Sequence, residues 1–575
     1  MKKITLLAFA ILSFFTLQAQ EKAPKWVKKS APAVVSVNTY DAAGTKLRTG
    51  TAVVTSADGE ALSDYALFKD AARAVVTTQK GVEYPVAAII GADDFYDVIK
   101  IKIDFPKKQP FAALATAKPA AGSAVIMLPY SDAKQPAFKA GTIKEVTTLK
   151  DTYSYFELNL PLVTTQLSAP IFTDAGELIG LAQADAQAST TRSFAISAAY
   201  VNSLRISASD AFNKSYTSIG IRKAWPASVD DALVMLFVLS GTQSPAEKLV
   251  TLTDFIDTFP QSSDGYTNRA SHYAYARKQL ETAGKSAAYF LDKANEDIQT
   301  ALAKADYKAE VLYNQANLIY NLAASDSLLQ SEAWSIEHAL EVLDEALAIE
   351  AKPQYNILKG DIKFYQQKYD EALAAYNIVN SSDQATHGSY YWAAKAKQQL
   401  PNVNIGEVIA LLDSAVVSCG AHFQKEAAHY VLERVSLKTD LGLFKEIVAD
   451  YDLYYTLVKG EVADVFYYYR EQAKFRLGDL DGAMQDINEA LKLSPKDATY
   501  LAEKAAIQVR LKDYEAALKS IDAALVIDPA FAACYRLRAV CYIRLKQPAN
   551  VCAALTKAVA LGDPVAAKLK KQHCK

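Results

Sequence analysis

Near the end of the chain, four residues return at a fixed interval. Ala483, Ile487, Ala490 and Pro495 recur as Ala517, Ile521, Ala524 and Pro529, each 34 residues later. A third copy follows with Leu555 and Ala558; Val551 stands where the small residue was, and Pro564 comes one place late. Apolar residues three and four apart within each copy place one stripe on a helix. A period of this length then requires two helices per copy, with small residues where they cross closely and a proline opening the next unit. Such a unit cannot bury its apolar face alone, so the copies must stack into a solenoid whose curve offers a groove.

This pattern resembles the tetratricopeptide (TPR) repeat. Looser units precede it. Gly360, Tyr369, Ala372, Tyr376 and Val379 make one. Ala394, Val408, Leu412 and Ala415 make another. Ala316 pairs with Ala339, Leu343 and Ala346 across an insertion of about eleven residues around 323–332. The reading is an all-α TPR solenoid over 230–575, in six to eight units, clearest at 464–565.

The first third of the chain has a different period. Short runs such as Val34–Val37, Thr51–Val54, Ala74–Thr77, Val98–Ile103, Val125–Leu128, Phe156–Leu160, Leu178–Leu181 and Phe194–Ile196 are separated by turn signals, among them Asp58-Gly59 and Lys80-Gly81. Many short strands at this spacing indicate an all-β barrel or sandwich. We place that domain at 20–206 and a linker at 207–229. At 575 residues the chain is too long for one core.

Residues 1–19 read as an export signal: Lys2 and Lys3, then the apolar run Ile4–Leu17, with Ala19 before the cleavage point. The run is short for a bilayer span of roughly twenty residues, so no integral membrane segment is expected after signal removal. Export to the periplasm is the expected localisation. A net charge of −2 argues against bulk attraction to nucleic acid. Of five cysteines, Cys534, Cys541, Cys552 and Cys574 cluster at the end. Cys541 and Cys552 fall on consecutive helices and could bridge; the simpler reading is that these thiols fill apolar space. No P-loop, dinucleotide fingerprint, HExxH or EF-hand loop occurs, and no cofactor or metal is implied.

Three segments of the strand-rich part resemble the Deg/HtrA family of chymotrypsin-like serine proteases, which implies a trypsin-like double β-barrel. Gly50–Ser63 is similar to the glycine-framed hairpin leading to the catalytic histidine. Asp94–Lys102 is similar to the segment carrying the catalytic aspartate, and Pro170–Gly180 to the strand pair after the nucleophile. Carried across, the histidine position falls on Ala66, the aspartate position on Asp97 and the serine position on Leu167, at spacings of 31 and 70 residues that suit the family. The family's glycine-asparagine-serine-glycine-glycine-proline motif reads Thr165-Gln166-Leu167-Ser168-Ala169-Pro170. All six histidines lie at or beyond His272. A serine hydroxyl needs a base to become a nucleophile, so the resemblance implies a pseudoprotease. Without an imidazole to orient, Asp97 is expected to accept backbone hydrogen bonds. The oxyanion hole, which depends on the lost glycines, is expected to be altered.

The expected function is therefore a non-catalytic scaffold binding proteins or peptides. One alternative is an active endopeptidase using Ser168 with a lysine base, Lys69 and Lys100 being near in sequence; the spacing singles out neither. Another is a structural subunit of an envelope complex. Candidate groove residues are Tyr468 and Gln472, together with Arg476, Arg510 and Arg544, which recur at 34-residue spacing and could hold a carboxylate or acidic peptide. Glu471 occupies a normally small position and is expected to loosen a helix crossing or turn outward.

Overall fold

The computed structural model describes residues 23–184, 192–326, 329 and 331–574; the expected signal at 1–19 lies outside them. The chain forms two compact units, Met1–Ala305 and Asp306–Lys575.

In the first unit, two six-stranded antiparallel barrels close on themselves. The first runs β1 (Val34–Tyr40), β2 (Lys46–Val54), β3 (Glu60–Ser63), β4 (Arg73–Thr77), β5 (Glu83–Asp93) and β6 (Val98–Ile103), in spatial order β1-β2-β3-β6-β5-β4. The second runs β7 (Ala124–Met127), β8 (Lys139–Leu149), β9 (Tyr153–Asn159), β10 (Pro170–Thr173), β11 (Leu178–Gln183) and β12 (Ser193–Ser197), in order β10-β11-β12-β9-β8-β7. Closure leaves no free sheet edge, the usual aggregation liability of β-proteins. Short helices α1 (Lys25–Ser30), α2 (Tyr65–Phe68), α3 (Ala198–Ser203) and α4 (Lys214–Thr217) brace the barrels. From α1, Trp26 donates its indole N–H to the Asp174 carbonyl at 2.8 Å and packs on Phe172 with ring centres 5.2 Å apart. The turn beneath it needs Gly176: its φ is +87°, and a Cβ there would meet the Trp26 ring at 2.7 Å.

Two strands escaped the sequence reading, β5 and β8. Pro85 interrupts the β5 run, and β8 (Lys139–Leu149) carries Gly141 with lysine and threonine in place of clean alternation. In β6 the alternation misleads in a different way. Lys100 is 0% exposed, held by Glu60 at 2.7 Å and donating to the Asn202 carbonyl at 2.9 Å. Burial lowers its pKa.

Residues 207–229 pack against the first barrel. Backbone hydrogen bonds join Asp70 N–H to Ser218, Gly220 N–H to Ala71, and Ile89 N–H to Arg222. Ile219 and Ile221 are buried in the first barrel's core. Beyond lie α5 (Val229–Ser240), α6 (Pro245–Thr258), α7 (Ser263–Ala276) and α8 (Ala287–Lys304).

The second unit consists of paired helices: α9 (Lys308–Ser325) with α10 (Ile336–Ile349), α11 (Tyr355–Tyr365) with α12 (Tyr369–Asn380), α13 (His387–Gln398) with α14 (Ile405–Cys419), α15 (Gln424–Asp440) with α16 (Phe444–Leu457), α17 (Asp464–Leu477) with α18 (Leu480–Leu493), α19 (Ala498–Arg510) with α20 (Tyr514–Ile527), and α21 (Ala532–Arg544) with α22 (Pro548–Ala560), followed by α23 (Pro564–His573). The recurring residues are the crossings: Ala483, Ile487, Ala490, Ala517, Ile521 and Ala524 are all 0% exposed. Gly360 permits another, since a Cβ would stand 2.4 Å from the Tyr376 ring. Among the described residues, no helix is long and apolar enough to cross a membrane.

Successive pairs are tied by a charge ladder that the sequence reading missed. Arg434 on α15 donates to Asp413 on α14 at 2.6 Å and forks onto Asp450 of α16, which also accepts from Lys438 at 2.8 Å. Exactly the same geometry is not needed to see the repeat: 36 residues on, Arg470 donates to Asp452 at 2.8 Å and forks onto Asp486, with Lys474 at 2.8 Å from that carboxylate. One unit further, Ser520 donates to Gln508 at 2.8 Å, replacing the ion pair with neutral groups. Glu471 does not turn outward. It is 0% exposed, one of its oxygens has no hydrogen-bond partner among the described residues, and burial together with the Glu503 charge pushes its pKa up to about 8. A neutral carboxylic acid can fill a small-residue position that a carboxylate could not.

The cysteines depart from expectation. Cys552 pairs with Cys574, not with Cys541. Cys541 is 0% exposed and packs with Cys534 and Ala505 toward the preceding helix pair, so it points away from Cys552. Cys534 and Cys541 do fill apolar space.

Removing a partner from a buried ion pair strands the other charges at about 3 kcal/mol. Asp486→Ala, which strands Arg470 and Lys474, is predicted to lose that much in urea unfolding. Asp522→Ala, whose carboxylate is 67% exposed beside Arg538, is predicted to lose less than about 0.5 kcal/mol.

Candidate functional site

A cavity of about 550 Å³ is lined by Asp64, Phe95, Tyr96, Asp97, Thr147, Leu149, Tyr155, Leu167, Ser168 and Gln183 among others. Residues from both barrels contribute. The Asp93–Asp97 turn forms one wall: Asp93 accepts from the N–H groups of Phe95 and Tyr96, each at 3.1 Å, and from the Tyr200 hydroxyl. Gln183 of β11 donates to the Tyr96 carbonyl at 2.7 Å, fastening this turn to the second barrel.

Of the three positions that the resemblance singled out, Asp97 and Leu167 line this cavity, and Ala66 is bonded to Asp97. Asp97 has a left-handed backbone (φ 52°) and its carboxylate accepts the Ala66 backbone N–H at 2.7 Å. The backbone role expected for Asp97 is thus what the geometry gives it. Leu167 is half-buried, its side chain taking up space in the cleft.

Asp64 is the residue the sequence reading overlooked. It directly follows β3, accepts the Ser63 hydroxyl at 3.3 Å, and shares the cavity lining with Asp97 and Ser168. The local signal was Ser63-Asp64 placed two residues before the histidine position. Burial, reinforced by the Asp97 charge and partly offset by the Ser168 hydroxyl, pushes the Asp64 pKa up to about 6. Burial raises Asp97 as well. Among the described residues, no lysine, arginine or histidine is ion-paired with either carboxylate.

Ser168 is 3% exposed with φ 58°, and its N–H is given to the Ala182 carbonyl at 2.9 Å. The Leu167 N–H turns into a 3-10 bend, 3.4 Å from the Thr164 carbonyl. An oxyanion hole needs the nucleophile's N–H and the one two residues before it free and aimed at the developing charge; for Ser168 that second donor is Gln166, whose N–H goes to the Val163 carbonyl at 2.8 Å. The lysines proposed as substitute bases lie elsewhere: Lys100 is held by Glu60, and Lys69 is exposed outside the cavity lining. His272, on α7, is buried with Nε2 at 2.8 Å from the Pro245 carbonyl.

The groove candidates of the helical unit are distributed. Tyr468 packs on Tyr500 with ring centres 5.4 Å apart, and Gln472 donates to Glu471 at 2.7 Å. Arg476 stacks over Phe444 at 5.7 Å and Arg510 over Phe475 at 5.1 Å. Arg544 is exposed. All three arginines close the last turns of their helices, where a cation offsets the helix dipole.

The fold and the cleft together define a trypsin-like architecture. The family model described as "Trypsin-like peptidase domain" matches residues 50–181. Among solved structures, the chain is similar to an HtrA-type protease solved with a tripeptide, at 21% identity and a TM-score of 0.27, over 31% of this chain and 60% of that one. No curated protein matches the chain.

A carboxyl group whose pKa is raised on folding adds stability below its ordinary range and forfeits it as pH rises through the raised value. Asp64, shifted from 3.8 to about 6, is therefore predicted to weaken the fold between pH 4 and pH 7 by on the order of 1–3 kcal/mol. Asp64→Asn should flatten that slope, measured as urea midpoints at pH 4.5 and 7.5.

Proposed function

We propose that this chain is an exported, non-catalytic scaffold for proteins or peptides, in which a trypsin-like domain lacking a working triad is joined to a TPR array. The observation that carries this reading is the residue set: alanine and leucine stand at positions 66 and 167, and no histidine precedes His272, so Asp97, which accepts the Ala66 N–H, has no imidazole beside it. In a working triad that carboxylate orients an imidazole, which in turn takes the serine proton. Here one of its oxygens accepts the backbone N–H of Ala66, and the alanine side chain offers no second donor. Ser168 is buried and has its N–H bonded to the Ala182 carbonyl.

Stacked helix pairs favour binding over catalysis, because they present extended surface without enclosing a reaction site. The apolar leader favours export, with the periplasm as the proposed compartment, and the Cys552–Cys574 disulfide suits an oxidising compartment.

The test is capture by the full-length mature chain on an array of unstructured peptides, with released peptides weighed by mass spectrometry. The predicted result is micromolar capture of a subset, returned at unchanged mass. Failure to retain any peptide would overturn the reading.

A further inference from the structure

Within the second unit, α15, α16 and the start of α17 enclose a groove of about 580 Å³. Its walls are aromatic and aliphatic: Tyr451, Tyr454, Phe466 and Tyr469, with Leu432 and Val465. Several of these remain open to solvent, Tyr469 at 54%, Val465 at 43% and Leu432 at 38%. Phe466 is held in place by Tyr451 and Tyr454, with ring centres 5.6 and 5.7 Å away, and by the Arg470 guanidinium at 5.0 Å. The groove is thus a fixed aromatic surface, the kind that gives contact area at low entropic cost.

Its charge has one sign. The charged residues in its lining are Asp440 and Glu461, both exposed. Four cations on the helices that wall it are turned to other carboxylates: Arg434 and Lys438 to Asp450, Arg470 and Lys474 to Asp486. The two acids stand at opposite ends. Asp440 closes α15, while Glu461 lies in the loop after α16, which returns antiparallel through the short turn 441–443. From Leu432 to Asp440 there are eight helical steps, a length of about 12 Å.

We propose that this groove holds a short extended segment of a partner protein, with an apolar or aromatic anchor flanked by a lysine or arginine on each side. At about 3.3 Å per residue, the two cations would stand about four residues apart. This rests on the peptide-binding reading above and gives it a site and a ligand chemistry. The ligand is basic, the reverse of the acidic peptide that the recurring arginines suggested. Those arginines are exposed at helix ends, with Arg476 and Arg510 stacked on phenylalanine rings, and none of the three lines this groove.

The test is fluorescence anisotropy on the full chain with two labelled peptides. One is lysine-alanine-phenylalanine-alanine-lysine; the other carries glutamate at both ends. The lysine peptide should bind at least tenfold more tightly at low salt, and that preference should shrink as salt screens the end charges. The double variant Asp440→Asn with Glu461→Gln should bring the two peptides level. Tyr469→Ala should weaken the lysine peptide at least fivefold. All three positions are exposed, so an unchanged thermal midpoint is the folding control. Equal binding of both peptides by the native chain, or undiminished lysine-peptide affinity in the charge variant, overturns the proposal. If the peptide array still shows capture in that case, only the groove assignment fails; if the array is also blank, the binding reading fails with it.

Discussion

The hydrogen bond between the Asp97 carboxylate and the Ala66 backbone organises the cleft between the barrels. It fixes a left-handed residue at the end of the Asp93–Asp97 turn and ties that turn to α2. Gln183 ties the same turn to the second barrel. A carboxylate in such a place ordinarily stabilises an imidazolium. Under the proposed reading alanine stands opposite, and the peptide N–H of Ala66 is the donor this carboxylate accepts. Asp64 shares the cleft with this acid, and burial, reinforced by the Asp97 charge, pushes its pKa upward. The outcome is a cleft with two neighbouring carboxyl groups and aromatic walls.

The helical unit rests on a related economy of charge. Asp450 and Asp486 are 4% and 2% exposed, and each collects an arginine fork and a lysine. Buried carboxylates without such partners would cost several kcal/mol. Because the arginines also reach back to Asp413 and Asp452, each cluster joins three helices. Glu471 solves a similar problem differently, by holding its proton.

Much of this was legible in the sequence, for physical reasons that can be named. The double barrel could be read because its glycine-framed hairpin and the segment around Asp97 have residue patterns tied to backbone shape. The crossings at Ala483, Ile487 and Ala490 could be read because helix contact admits only small or well-shaped residues at a fixed period. The strand β8 could not, since its lysines and threonines face solvent and leave no alternation to see. Asp64 was invisible because its importance comes from Ser168 and Asp97, which are far away along the chain. The arginine column was visible as a repeat, but periodicity marks only a residue's place on a helix and says nothing of the phenylalanine rings beside Arg476 and Arg510. The Arg434–Asp450 and Arg470–Asp486 forks show the converse, a real repeat concealed by a 36-residue spacing next to one of 34.

The most direct measurement of the central claim is to incubate the purified mature chain with an unfolded protein and a fluorophosphonate probe, from pH 6 to pH 9, and to search for new chain termini and for an adduct on Ser168 by mass spectrometry. The account predicts neither at any pH, including values well above the Asp64 pKa where that carboxylate is fully ionised. New termini that vanish with Ser168→Ala, or a stoichiometric adduct on Ser168, would contradict it.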